Sequence, residues 1–330
     1  MLKPLKLLRS RFLFKNWFWA GLRYFLWRYG ITKNGIIKVV CRDGGVVEVP
    51  AHTYRSIVNN YLSGVIKDVS CRGYFVVLQD NSRLSLEALW SSVWKDALRL
   101  GWVYDGVNKY WFKGIVRFKH MHLPVLEVFE YGDHEGLDVK GKVVIDVGAY
   151  VGDSAIYFVL RGASRVIAIE PHPGAYQEML ENIRLNNMEG KIIPVNAGLA
   201  SKPGCIETSG DVDSTGVMYH KLGNKHSNCV GAITLNEVIH EFSIDPSNAV
   251  LKMDCEGCEY DVILNDYSHV RLFNEVYFEY HPYQVGIPVS RLLSLLKEDY
   301  TCNSANTESF YTRHSTDKEQ LGIIHCKRKA

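Results

Sequence analysis

The densest chemical signal in the chain is Val143-Val144-Ile145-Asp146-Val147-Gly148-Ala149-Tyr150-Val151-Gly152-Asp153-Ser154. An apolar run ends in a glycine turn, and the turn opens a segment of helical character. Glycine lets the backbone approach a ligand closely, and the free amides of a helix start face it. Glu170 follows Gly148 by 22 residues, at the end of the next apolar run. A carboxylate there can accept hydrogen bonds from both hydroxyls of a ribose. Asp146, Gly148, Ala149, Tyr150, Gly152, Asp153, Ser154 and Glu170 are therefore the candidate cofactor-binding residues. Asn196, which closes a third run, joins them as a side chain that could reach an adenine edge.

Two nucleoside cofactors use such a turn. The dinucleotide fingerprint G-x-G-x-x-G fits its glycines to a pyrophosphate. Here the spacing is Gly148-x-x-x-Gly152, with Tyr150 where the second glycine would stand. Asp146, two residues before the turn, would repel a pyrophosphate but suits the cationic amino group of a methionine moiety. Charge complementarity thus favours S-adenosylmethionine over NAD. It also disfavours a turn that binds nothing, because Asp146 would then be a buried charge without a partner.

A second constellation is Asp254, Glu256 and His281. Val250 to Met253 and Glu275 to Tyr280 read as the fourth and fifth strands, and in an open parallel sheet ligands bind beyond the carboxyl ends of the strands. Transfer to a hydroxyl needs the acceptor oxygen held about 3–3.5 Å from the transferred group. It also benefits from a positioned base. Asp254 or His281 is expected as that base, with Glu256 orienting substrate or cofactor. The alternative for Asp254 and Glu256 is a structural network with Lys252 and the amides of the next helix. Carboxylates and imidazole suit divalent ions, but no tight ligand spacing is present and no metal is expected. Cys255-x-x-Cys258 lacks a second pair, so neither structural zinc nor redox chemistry is expected there. Tyr131 is placed either to cover the cofactor or to fill the core.

Asp146-Val147-Gly148-Ala149-Tyr150-Val151-Gly152-Asp153, Glu170-Pro171 and Leu251-Lys252-Met253-Asp254-Cys255-Glu256-Gly257-Cys258-Glu259 together resemble the FkbM family of class I methyltransferases. The resemblance covers residues 125–285, and its most distinctive part is the Lys-x-Asp-x-Glu-Gly-x-Glu string. It implies an enzyme that takes methyl groups from S-adenosylmethionine and delivers them to hydroxyls of sugars or other small molecules. Tyr150 departs from the family, which often has Asn there. Enzymes that methylate nucleic-acid bases on nitrogen commonly end the fourth strand with Asn/Asp-Pro-Pro-aromatic. Asp254-Cys255-Glu256-Gly257 differs, which favours oxygen methylation.

The elements that must position these residues alternate strand and helix. Strands are expected at 143–147, 166–169, 192–195, 250–253, 276–278 and 322–326, and helices at 153–160, 173–187 and 234–242. Gly162 closes the first helix, Pro173 suits the first turn of the second, and Thr234 with Glu237 makes a capping box for the third. The expected fold is α/β: a Rossmann-like, doubly wound, mostly parallel sheet over residues 125–330. A smaller α/β domain is expected at 31–124, with a hairpin at Asp43-Gly44, a strand at 74–78, a helix at 86–100 and a strand at 110–118.

Residues 1–30 form a separate basic, aromatic helical segment. They contain Lys3, Lys6, Arg9, Arg11, Lys15, Arg23 and Arg28, no acid, and a run of aromatics from Phe12 to Tyr29. Such a segment either packs across the body with its basic heads in water, or touches a membrane surface or nucleic acid. The chain as a whole carries a net charge of only +2, so nucleic acid is not the favoured partner. The two rival readings are an RNA methyltransferase that uses the N-terminal region for binding, and a non-catalytic cofactor-binding module. Most of the eight scattered cysteines read as reduced core residues, and no stretch approaches the ~18–20 apolar residues of a membrane span. A cytoplasmic protein, peripheral to a membrane at most, is the expectation.

Overall fold

The computed structural model describes residues 8–209, 212, 219–222, 229–304 and 321–329. Lys3 and Lys6 of the basic segment lie outside the described residues. The chain forms two compact units, Met1–Met121 and His122–Ala330.

The first unit starts with the helix Trp17–Arg28, whose Ala20, Gly21 and Tyr24 are buried. Tyr24 packs against Tyr54 of the helix Ala51–Leu62, ring centroids 5.8 Å apart and planes tilted by 42°, and the Asn16 side chain bonds to the backbone of Lys38 and Val40. The basic segment is thus stitched into this unit. Strands Ile36–Val40 and Val46–Pro50 pair around Asp43-Gly44, where Asp43 accepts the Gly45 amide at 2.8 Å. Two antiparallel three-stranded sheets complete the unit, Ile66–Ser70 with Phe75–Leu78 and Arg83–Ser85, and Val103–Asp105 with Tyr110–Lys113 and Val116–Phe118. The helix expected over 86–100 is broken into Leu86–Trp90 and Trp94–Arg99. Ser91 is extended, and its hydroxyl accepts the Val93 amide at 3.1 Å, a local bond that competes with the helix.

The second unit is built on Val143–Val147 (β1), Arg165–Ile169 (β2), Ile192–Val195 (β3), Ala249–Met253 (β4), Glu275–Tyr280 (β5), Tyr300–Ser304 (β6) and Gly322–Arg328 (β7). These strands lie in the order β3-β2-β1-β4-β5-β7-β6. The first five positions are parallel, and β7 runs antiparallel to both β5 and β6. The fold is a Rossmann-like, doubly wound, mostly parallel α/β sheet. Its helices include Asp153–Leu160 (α1), Pro173–Leu185 (α2), Leu235–Glu241 (α3) and Cys258–Asn265 (α4). At the head of α3, Glu237 donates its amide to Thr234 Oγ1 and accepts the Thr234 amide, the reciprocal pair of a capping box. All five residues of β4 are buried, as a central parallel strand requires. Strand order reverses between β1 and β4, so a crevice opens where their carboxyl ends diverge.

Three features were not legible as expected. Between β3 and α3 in sequence lies a second small sheet, Gly198–Leu199, Gly204–Ser209, Tyr219–Leu222 and Cys229–Ile233. The strand β6 joins the sheet through β7 without a parallel crossover. The cysteines are not reduced: they pair as Cys41–Cys71, Cys205–Cys229, Cys255–Cys258 and Cys302–Cys326. Cys302 and Cys326 face each other across β6 and β7, with Cα atoms 4.0 Å apart. Such partners are set by which strands become neighbours, which sequence spacing does not disclose. Among the described residues, no helix is long and apolar enough to cross a membrane.

Candidate active site

The turn after β1 is held by its own side chains. Gly148 adopts φ +72°, and any Cβ there would collide with the Asp254 carbonyl oxygen. Glycine is therefore required for β1 and β4 to end side by side. Tyr150 is also left-handed, at φ 45°, and its amide donates to Glu170 Oε2 at 2.9 Å. The His172 amide donates to Glu170 Oε1 at 2.7 Å. One carboxylate thus ties the turn to the end of β2. Burial pushes the Glu170 carboxyl up to about 7, against the pull of the His172 and Tyr150 amides. The Tyr150 hydroxyl continues the chain of contacts, 2.8 Å from His122 Nδ1, whose Nε2 lies 2.7 Å from Glu178.

Beneath the turn is a buried ion pair. Lys252 Nζ, on β4, lies 2.8 Å from Asp146 Oδ1 on β1, and Ser154 donates to Asp146 Oδ2 at 2.7 Å. Lys252 also donates to the Gly148 carbonyl at 3.1 Å. Burial disfavours the Lys252 charge, but Asp146, Asp254 and Asp153 together outweigh it and the ammonium pKa is raised.

The far side of the crevice is a group of acids around one imidazole. Asp254 follows β4, Glu279 lies on β5, and His281 follows it. His281 Nε2 is 3.9 Å from Asp254 Oδ1, 3.8 Å from Glu256 Oε2 and 3.8 Å from Glu279 Oε1. Its orientation comes from Glu259, fully buried on α4, whose Oε1 accepts the His281 amide at 3.0 Å and sits 3.1 Å from Nδ1. Burial alone would lower the His281 pKa, but Glu259, Glu256 and Glu279 raise it to about 10. Glu256 stands at φ 56° and accepts from Gln284 at 3.1 Å and Tyr283 at 3.3 Å.

These two sides and the segment Glu127–His134 wall one cleft of about 1110 Å³, part of it open to solvent. Its carboxyl groups are Glu127, Asp133, Asp153, Glu170, Asp254, Glu256 and Glu279, against Lys252 and His281. Burial, with Asp254 nearby, pushes Asp133 up to about 7. Asp153 also reaches about 7, through burial and against the pull of Lys252. The same causes that act on Asp133 raise Glu279 well above the usual carboxylate range. Burial lowers His134 to about 3, so it is neutral. Glu127 Oε1, Asp133 Oδ1 and Asp153 Oδ1 are buried without a hydrogen-bond partner. Burial thus holds several of these clustered acids above the usual carboxylate range.

Residues 146–301, from the buried Asp146 to the strand beyond α4, match the methyltransferase FkbM domain. Over that span, somewhat under half of the chain, the protein is similar to the FkbM methyltransferase family. The hexuronic acid methyltransferase AglP of Haloferax volcanii is 28% identical over 159 residues, which cover 48% of this chain and 64% of AglP. The chain therefore spans less than two thirds of that relative. A ribosomal protein L11 methyltransferase of Sorangium cellulosum is 32% identical over 72 residues, 22% of this chain and 23% of its own. Among solved structures, a ribosomal protein L11 methylase from Lactobacillus delbrueckii subsp. bulgaricus covers 63% of this chain and 77% of its own at 16% identity, with a TM-score of 0.35.

The residues singled out from sequence divide into two groups. Gly148, Tyr150, Asp153, Ser154, Glu170, Asp254, Glu256 and His281 line the cleft. Asp146, Ala149, Gly152 and Asn196 do not. Asp146 lies beneath the turn, paired with Lys252 and bonded by Ser154, and is absent from the cleft wall. Asn196 spends its amide on the Glu170 carbonyl at 2.9 Å. Ala149 is fully buried, and Gly152 packs on Met179. Tyr131 closes the helical turn Glu127–Tyr131 and is absent from the cleft wall. Sequence reading passed over Glu127, Asp133 and His134. No motif marks them, because they precede β1 and reach the cleft only through the fold. Glu259 carried a signal, as the last residue of the Lys252–Glu259 string.

Proposed function

We propose that the second unit is an S-adenosylmethionine-dependent methyltransferase acting on a hydroxyl of a sugar or glycan. The observation that carries this reading is the pairing of an anionic cleft with a glycine turn locked by Glu170. The cofactor presents a ribose diol, an ammonium and a sulfonium. The residues present fit it: Glu170 stands at the ribose position, and the unpartnered Asp153 Oδ1 at the head of α1 suits the ammonium. Asp153 thereby takes the ammonium-binding role first expected of Asp146. A pyrophosphate cofactor is disfavoured by the same carboxylates. When bound, the cofactor supplies an activated methyl group on sulfur.

The chain's own residues do the rest. Asp254, at the end of β4, is the base that accepts the acceptor hydroxyl proton. His281, held at Nδ1 by Glu259 with Nε2 facing the acceptor side of the cleft, orients the site and leaves the base role to Asp254. Glu256, braced by Tyr283 and Gln284, orients the acceptor. A sugar acceptor is supported by the likeness to AglP, a hexuronic acid methyltransferase. The acidic cleft disfavours RNA, a polyanion, as the acceptor. Calorimetry with S-adenosylmethionine against NAD tests the cofactor: heat with the first alone is expected, and none with the first overturns the reading. A labelled-methyl screen over neutral glycans and nucleosides then tests the acceptor.

We also propose that the first unit rests on an anionic lipid surface. Phe18, Trp19 and Tyr29 are 56%, 69% and 68% exposed on or beside the helix Trp17–Arg28, and the first acid in the chain is Asp43. Exposed aromatics among uncompensated bases are the composition of an interfacial helix.

A further inference from the structure

We infer that Asp254, Glu279 and His281 form a binding site for a divalent metal ion, with Glu256 beside it. One ligand atom from each of the three lies within 4.8 Å of the others. An ion about 2.0–2.2 Å from each ligand atom sets them roughly 3–4.4 Å apart, so a small contraction closes the site. His281 Nε2 already stands 3.8–3.9 Å from carboxylate oxygens of Asp254, Glu256 and Glu279, too far for hydrogen bonds and close to the spacing of shared ligation.

Two further observations point to a cation. His281 is 98% buried by its 2% exposure, and Glu259 engages Nδ1, which leaves Nε2 aimed at the three carboxylates. A ligating histidine bound through its other nitrogen to a carboxylate is the usual outer arrangement of a metal site. Independently, Glu127 Oε1 and Asp133 Oδ1 are buried in the wall of the same cleft without hydrogen-bond partners, at residues 9% and 8% exposed. Lys252 is committed to Asp146 and offsets none of them directly. Two carboxylates with one imidazole suit a hard to intermediate ion such as Mn²⁺, the remaining positions being open to oxygen ligands.

The role of the ion rests on the methyl-transfer reading; its binding does not. At the carboxyl ends of β4 and β5 it would hold an acceptor oxygen and ease loss of that oxygen's proton to Asp254. The oxygen–methyl bond then forms as the sulfur–methyl bond breaks, and the sulfonium leaves as a neutral thioether.

The test is titration of the chelator-treated full chain with Mn²⁺, followed by loss of the free-ion paramagnetic signal and by calorimetry, without cofactor or acceptor. One saturable Mn²⁺ per chain is expected. Glu279→Gln and Asp254→Asn should each weaken it at least tenfold, while circular dichroism and S-adenosylmethionine binding stay as in the parent. No saturable binding, or equal affinity in both variants, overturns the metal site. Mn²⁺ binding without S-adenosylmethionine binding would instead overturn the cofactor reading and leave the metal site standing.

Discussion

Gly148 and Asp254 meet backbone to backbone, so closely that a Cβ on Gly148 would overlap the Asp254 carbonyl oxygen. The cofactor turn and the proposed base are therefore one mechanical unit. Gly148→Ala must both strain a left-handed backbone and push β4 away. Destabilisation of roughly 3 kcal/mol or more is expected, with loss of cofactor binding. Denaturant unfolding and calorimetry measure both, and a variant with parental stability contradicts the contact.

The Asp146–Lys252 pair offers a cleaner energetic test. Asp146→Asn leaves a buried ammonium without its partner and should cost about 3–5 kcal/mol. Asp146→Asn with Lys252→Met should cost less than Asp146→Asn alone, because no uncompensated charge remains. Unfolding curves for the two variants decide it, and a costlier double variant would refute the pairing.

Acidity should stabilise the ligand-free protein. His281 is raised from 6.5 to about 10, so its contribution is complete below pH 6.5 and lost as pH climbs through 10. Asp133 and Asp153 are raised from 3.8 to about 7, so the fold holds protons that the unfolded chain has released, and stability falls between pH 4 and 7. Both trends have the same sign. Melting temperature should fall from pH 5 to pH 9, and Asp133→Asn should flatten the lower half. A melting temperature that rises over this range contradicts the buried acid cluster.

Asp254→Asn should lower methyl transfer by about 10²–10⁴-fold, the usual worth of a positioned base. S-Adenosylmethionine affinity should hardly change, since Glu170 and Asp153 are the proposed cofactor contacts. Single-turnover rates with labelled cofactor separate the two. Full activity in the variant would return Asp254 to a structural role.

For the lipid surface, Phe18→Ser with Trp19→Ser should abolish co-sedimentation with vesicles containing phosphatidylserine, and raising salt should weaken binding of the parent. Equal binding to neutral vesicles at all salt concentrations argues against the basic face.

What the sequence determined by itself was local. Alternating apolar runs and glycine turns dictate β1 to β5 and the helices between them, because buried parallel strands must be apolar and a close turn must be glycine. Gly148, Glu170, Asp254 and His281 were readable because each sits at a strand end or in the turn. The tertiary structure decided partnerships across the chain. It gave Asp146 a partner in Lys252, since β1 and β4 lie side by side in register at those two residues. It paired cysteines that had read as free, because antiparallel neighbours bring distant Cα atoms together. It also brought Glu127 and Asp133 to the same cleft as Asp254 and Glu279. Burial and mutual repulsion, which set the charge of such groups, belong to the folded shape and to no single stretch of residues.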